Sequence, residues 1–362
     1  MENISKIKKV LEFYNDVNKL KTTIINNKLN YSVADHIYGS LIIAVAMNSE
    51  FKECKNIGKI LKFIVLNELN EKKYNEVSEL TYEEYTLISK FKKLELILTD
   101  FISNNSTLTK KELLTEFIIL LKEYNVDYKN ITKYIKVFNF YYLCCKLKHK
   151  ERSGWDYAHW NVKTDRPERI SEHIVGTVAL AIVTDTEFNY SNILNINIDN
   201  VLKILTIHEI GEILIGDITP FDGISVEEKN LIEHKAMEEI LSNLTDKEEL
   251  LNMLIDFDKH ESNESILAYY CDKIEADLQS KIYQEKNLHR SLDDQHSNIV
   301  FKNLNIQEYI NNGATTAFDI WYLYDKHIYK RNENFKEFSD LLNYIKNNNI
   351  YLKPSTVKKY TK

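Results

Sequence analysis

The sequence predicts an all-α protein: two related helical domains in tandem, the first degenerate, followed by a C-terminal helical tail. Three observations lead there. Only 8 Gly and 3 Pro occur in 362 residues. Both residue types interrupt helices, so their scarcity favours long helices joined by short polar turns. Apolar residues recur at helical spacing, as in Ile174, Val178, Leu180, Ala181 and Ile182. Finally, part of the first half of the chain recurs in the second.

The first domain is expected over residues 1–130 and the second over 131–290. Ungapped, HIYGSLIIAVAMNSEF (36–51) lies over HIVGTVALAIVTDTEF (173–188), with six identities in sixteen positions. The match resumes with ILKFIVLNELNE (60–71) over VLKILTIHEIGE (201–212), pairing Glu68 with Glu209 and Glu71 with Glu212. A weaker third block sets YEEYTLISKFKKLELIL (82–98) beside VEEKNLIEHKAMEEILS (226–242). In the first copy, Asn67 stands where the second has His208, and nothing acidic clearly matches Asp272. The first copy thus keeps the fold signature and loses most of the polar donors, and His36 is expected to be a packed core residue. The tail, 291–362, carries Phe318, Trp321, Tyr322 and Tyr324 at helical spacing, which points to packing.

Composition narrows the function classes. A hydrophobic content of 44% supports ordinary packed cores, and a net charge of -7 argues against general nucleic-acid binding. Cys54, Cys144, Cys145 and Cys271 form no CxxC pair and suggest reduced core thiols. The start lacks a signal-peptide pattern and no stretch has the length and apolarity of a membrane span. The expectation is a cytoplasmic protein that binds neither membrane nor nucleic acid.

Chemistry concentrates in the second domain. Val201, Leu202, Ile204, Leu205 and Ile207 lead on one helix into His208 and Glu209, with Glu212 one turn later. Ile266, Leu267, Tyr269 and Tyr270 precede Asp272 on another. Three helices can therefore aim His173, His208, Glu209 and Asp272 at one point, and so polar a buried face calls for a cation. Imidazole and carboxylate together suit a divalent ion such as Mn, Co, Mg, Fe, Ni or Zn. Each residue alone has a plain structural reading, and HEIGE lacks the second histidine of a zincin. The force lies in the ordered set.

That set resembles the HD-domain metal phosphohydrolases, most closely the 5′-deoxynucleotidase branch. The resemblance covers residues from about 140 to 285. It rests on KERSGW (150–155), DRPERISEHIVGT (165–177), HEIGEILIGDITPFDGISVEEK (208–229) and ESILAYYCDKIEADLQ (264–279). It implies an all-helical domain that removes phosphate from (deoxy)nucleoside 5′-monophosphates by attack of a water held by the metal. His173, His208, Glu209 and Asp272 match the principal metal ligands. Glu212 and Asp217 match an acidic pair implied in catalysis or in holding a second cation with the Ile218 carbonyl; as a catalytic pair, Glu212 is expected to orient or deprotonate the water and Asp217 to protonate the leaving group. Arg152 and Trp155 match a substrate-side pair, expected on the phosphate and the base. Domains of this branch commonly pair as homodimers, so the chain is expected as a monomer with an internal pseudo-dimer, or as a homodimer. One departure stands out: the doublet is His-Glu here and His-Asp in the family. The alternative expectation is a non-catalytic nucleotide sensor or scaffold derived from such an enzyme.

Overall fold

The computed structural model describes residues 2–69, 80–124, 126–156, 159–219, 222–295 and 298–351. Glu71, and Pro220 and Phe221 of the GDITPFDG segment, lie outside the described residues. The regular structure among the described residues is almost wholly helical. The strands among them are a short antiparallel pair, β1 (Ile24–Asn26) and β2 (Tyr31–Ser32). No described helix is long and apolar enough to cross a membrane.

The first half holds α1 (Glu2–Thr22), α2 (Val33–Phe51), α3 (Ile57–Leu66), α4 (Tyr82–Asn104), α5 (Lys110–Glu123) and α6 (Tyr128–Cys144). Next come α7 (Ile170–Phe188), the short α8 (Tyr190–Ile193), α9 (Ile198–Ile207) and the single turn α10 (Glu212–Ile215). After these run α11 (Val226–Leu241), α12 (Lys247–Lys259) and α13 (Asn263–Glu285). The tail adds α14 (Leu304–Asn311), α15 (Ala317–Asp325) and α16 (Lys336–Asn347).

Two central helices organise this order. Both α2 and α7 are apolar nearly all round and buried along their length, so each must be covered on every side. α2 packs on α3, α4 and α6; α7 packs on α9, α13 and α1. The outer partners therefore cross: the helix that opens the chain covers α7, and α6 covers α2. The helix starts also interlock. Asp35 of α2 accepts from the Ser171 hydroxyl at 2.6 Å, while Glu172 of α7 accepts from the Ser32 hydroxyl at 2.6 Å. One apolar core accordingly runs through both halves, from Ile7 to Ile350, and does not divide near residue 130.

The contacts revise one alignment. The third sequence block set 82–98 beside 226–242, which is α4 beside α11. In the fold α4 lies on α2 and α3 as α13 lies on α7 and α9, whereas α11 packs on α12 and α10. Both blocks are amphipathic helices with acidic starts, and that shared pattern produced the match.

The tail is helical and packed. Phe318 joins the main core, while Trp321 joins a second cluster with Trp155, Trp160, Tyr283 and Phe301. Tyr322 and Tyr324 are half-buried against the main core. All four cysteines are free.

Candidate active site

His173 sits in the first turn of α7 and is fully buried. His208 closes α9, with Glu209 following in a turn, and Asp272 lies mid-way along α13. The four side chains converge so that their donor atoms all lie within 4.8 Å of one another. His173 Nε2 is 2.9 Å from Asp272 Oδ1 and 3.6 Å from Glu209 Oε1. His208 Nε2 is 3.6 Å from Glu209 Oε1 and 3.8 Å from Asp272 Oδ1.

The tautomers follow from the outer partners. His208 Nδ1 donates to the Leu205 carbonyl at 2.9 Å, and His173 Nδ1 donates to Glu275 Oε2 at 2.5 Å. In the neutral imidazoles both Nε2 lone pairs therefore face the centre. His208 Nε2 is buried without a hydrogen-bond partner, an arrangement that is costly unless a cation accepts its lone pair. Two imidazoles and two carboxylates around one point fit a divalent ion. Without an ion, burial and Arg152 pull the His173 imidazolium down, but Glu275 and Asp272 outweigh them and push its pKa up to about 9.

Glu275 is held from behind by the opening helix. Lys21 of α1 ion-pairs with Glu275 and Glu168, and the Tyr14 hydroxyl donates to Glu275 at 2.5 Å. Burial opposes the Glu275 charge, yet Lys21 and His173 hold its pKa down at about 2. Glu168, His173 and Glu275 also have metal-site spacing, but Lys21 already supplies a cation there.

Arg152 stands at the rim. Its Nη1 donates to Glu209 Oε1 at 2.6 Å, and its Nε lies 3.6 Å from Asp217 Oδ2. Asp217 Oδ2 also accepts from the Ser153 backbone N–H at 2.8 Å, which ties the two loops together. Glu212 is buried, with Oε2 unpartnered. Burial, Asp217 and Glu209 drive its pKa well up. Burial and these acidic neighbours therefore favour the neutral form of the Glu212 carboxyl, while Asp217, expected as the proton donor, is engaged by the Ser153 backbone.

Trp155 takes the position of a core tryptophan. It is 3% exposed, packs in the second cluster against Tyr283 and Trp321, and donates from Nε1 to Glu168 at 3.1 Å. Its ring faces the interior because the tail closes over it, so it presents no open face to a base. Other groups near the site escaped the sequence reading. Lys273 reaches Asp272 Oδ2 at 3.0 Å, and Lys229 reaches Glu233 at 3.4 Å. Lys150 donates to the Glu212 carbonyl at 2.5 Å. For Tyr14 and Lys21 a signal existed. NISKIKKVLEFYNDVNKLK (3–21) lies over NITKYIKVFNFYYLCCKLK (130–148) with ten identities in nineteen positions.

Known proteins bear on this geometry. The HD domain family profile matches residues 144–310. The 5′-deoxynucleotidase HDDC2 of Dictyostelium discoideum is 30% identical over 150 residues, covering 41% of this chain and 77% of that protein. Its Homo sapiens namesake is 28% identical, covering 41% of this chain and 69% of that protein. The 5′-deoxynucleotidase hdd1 of Schizosaccharomyces pombe is 28% identical, covering 43% and 77%. Among solved structures, the PH0347 protein of Pyrococcus horikoshii aligns with a TM-score of 0.42 at 19% identity, covering 57% of this chain and 96% of that one. The chain belongs to the HD-domain family, in its 5′-deoxynucleotidase branch.

Proposed function

We propose that the second half of the chain is a metal-dependent phosphohydrolase that converts (deoxy)nucleoside 5′-monophosphates to nucleoside and phosphate. The observation that carries this reading is the convergence of His173, His208, Glu209 and Asp272, with the His208 Nε2 lone pair buried and unmet. These four residues would hold the ion. Once bound, a divalent ion supplies Lewis-acid polarisation of a phosphoryl oxygen and lowers the pKa of water toward neutrality.

The chain's own residues divide the remaining work. The Arg152 guanidinium is planar and always charged, and in exchange for its carboxylate partners it can fork onto two phosphate oxygens. Asp217 and the Ser153 backbone fix the loop from which Arg152 extends. Burial beside Asp217 and Glu209 favours the protonated form of Glu212, which is suited to deliver that proton to the leaving 5′-oxygen. The crossed packing of α1 and α6 supports the first half as a built-in partner, giving a pseudo-dimer within one chain.

A second reading, a nucleotide sensor without turnover, draws on the Arg152–Glu209 contact, which engages both a phosphate-binding group and a ligand. Phosphate release from a panel of nucleoside monophosphates with added manganese or cobalt decides between them. Turnover that disappears in His208→Ala supports the enzyme; bound metal and bound nucleotide without turnover leave only the sensor.

A further inference from the structure

The crossed arrangement makes a second, concealed site readable in the first half. Asn67 closes α3 as His208 closes α9, with nearly the same backbone (φ -64, ψ -24 against φ -62, ψ -27). Glu68 follows Asn67 as Glu209 follows His208. His36 Nδ1 bonds Glu95 of α4, as His173 Nδ1 bonds Glu275 of α13. Tyr141 of α6 and Lys148 in the turn after it hold Glu95, as Tyr14 and Lys21 of α1 hold Glu275.

These pairings fix the register of α4 on α13. Asp272 lies three residues before Glu275, and three residues before Glu95 lies Lys92. Lys92 therefore occupies the position of the last metal ligand. Its ammonium reaches the two residues that correspond to the doublet: it donates to Asn67 Oδ1 at 3.3 Å and ion-pairs with Glu68.

We propose that the first half retains an HD-type cation site in which the Lys92 ammonium takes the place of the divalent ion. One ligand carboxylate has become the cation, and one ligand imidazole has become an amide whose oxygen accepts from that cation. Both changes lower the demand for external charge, and they belong together. An ammonium bound to Asn67 and Glu68 occupies the ion's own place and repels a divalent ion by like charge. The first half is thus loaded without metal, and the exchangeable divalent site among the described residues is the His173 cluster. This inference rests on the reading of the His173 cluster as the metal site, and its test is arranged to stand apart from that reading.

The test is a metal count on folded full-length chain with Mn2+ as the probe. In the His208→Ala background, with the second site disabled, Asn67→His with Lys92→Asp is expected to introduce one Mn2+ per chain, lost again on adding His36→Ala. A folded variant with no added ion overturns the proposal, as does a wild-type chain whose Mn2+ is removed by His36→Ala. If the reversed variant does not fold, a second series decides. Lys92→Met should lower Tm by stranding Glu68, and Glu68→Gln on top of it should recover most of the loss, with no change in the ion count of the parent. An unchanged Tm in Lys92→Met overturns the proposal.

Discussion

Arg152 donates to Glu209 Oε1 at 2.6 Å, and the same oxygen lies 3.6 Å from Nε2 of both His173 and His208. The extra methylene of glutamate, where the family has aspartate, thus places one carboxylate oxygen between the guanidinium and the two imidazoles. Burial opposes its charge, but His208 and Arg152 outweigh burial and hold Glu209 ionised well below the usual carboxylate range. Glu209→Asp should withdraw the carboxylate from Arg152 and leave it a ligand. Glu209→Gln should weaken metal binding by more than the ~10–100-fold typical of losing an outer-sphere partner. Isothermal titration with manganese measures both; equal affinities in wild type and Glu209→Gln would remove Glu209 from the ligand set.

The opening helix should matter to the site although it is distant in sequence. Lys21 is buried between Glu168 and Glu275, and Glu275 orients His173. Lys21→Met would leave buried carboxylates uncompensated, at a cost of about 3–5 kcal/mol in folding stability. In the protein that remains folded, metal affinity should fall by ~10–100-fold. Denaturant unfolding and metal titration together check this; a stability loss with unchanged metal affinity would reduce Lys21 to a purely structural role.

Metal binding should release a proton. With His173 at about 9 in the ion-free protein, its imidazolium dominates at neutral pH and must lose a proton to become a ligand. Apparent affinity should therefore rise by roughly tenfold per pH unit below that pKa and flatten above it. Titrations in buffers of different ionisation enthalpy count the protons, and a count of zero at neutral pH contradicts the assignment.

Stability should depend on pH through His159. Its ring lies 2.7 Å from Asp156 and 2.8 Å from Asp222, joining the loop after Arg152 to the loop after Asp217. Burial lowers its pKa, but both aspartates outweigh burial and raise it from 6.5 to about 9. A raised folded-state pKa stabilises fully below the unfolded value, so this contribution is whole below pH 6.5 and is lost as pH climbs through about 9. Tm measured across that window should fall less steeply in His159→Asn than in wild type.

Trp155 should report on folding. Because its ring is enclosed by Tyr283 and Trp321, Trp155→Ala should cost about 3–5 kcal/mol of stability. Urea unfolding gives the value; a loss under about 1 kcal/mol would place the ring outside the packed core.

The sequence by itself determined the helical class, the likeness of the segments around His36 and His173, and the ordered set His173, His208, Glu209 and Asp272 that the fold brings together. These are local patterns: helical periodicity, a histidine in a first turn, and a doublet at a helix end are written in consecutive residues. Tertiary structure decided the rest, because which helix faces which is set by packing across the chain. It put α4 in the place of α13, which the matching amphipathic pattern of α11 had obscured. It turned Trp155 inward under the tail and brought Lys21 from the chain's start to the back of His173. It also exposed the relation of Lys92 to Asp272, which residue comparison scores as a mismatch. A carboxylate that binds a cation and an ammonium that is one are opposite in sequence, yet either arrangement sets a positive charge against the carboxylate of the doublet.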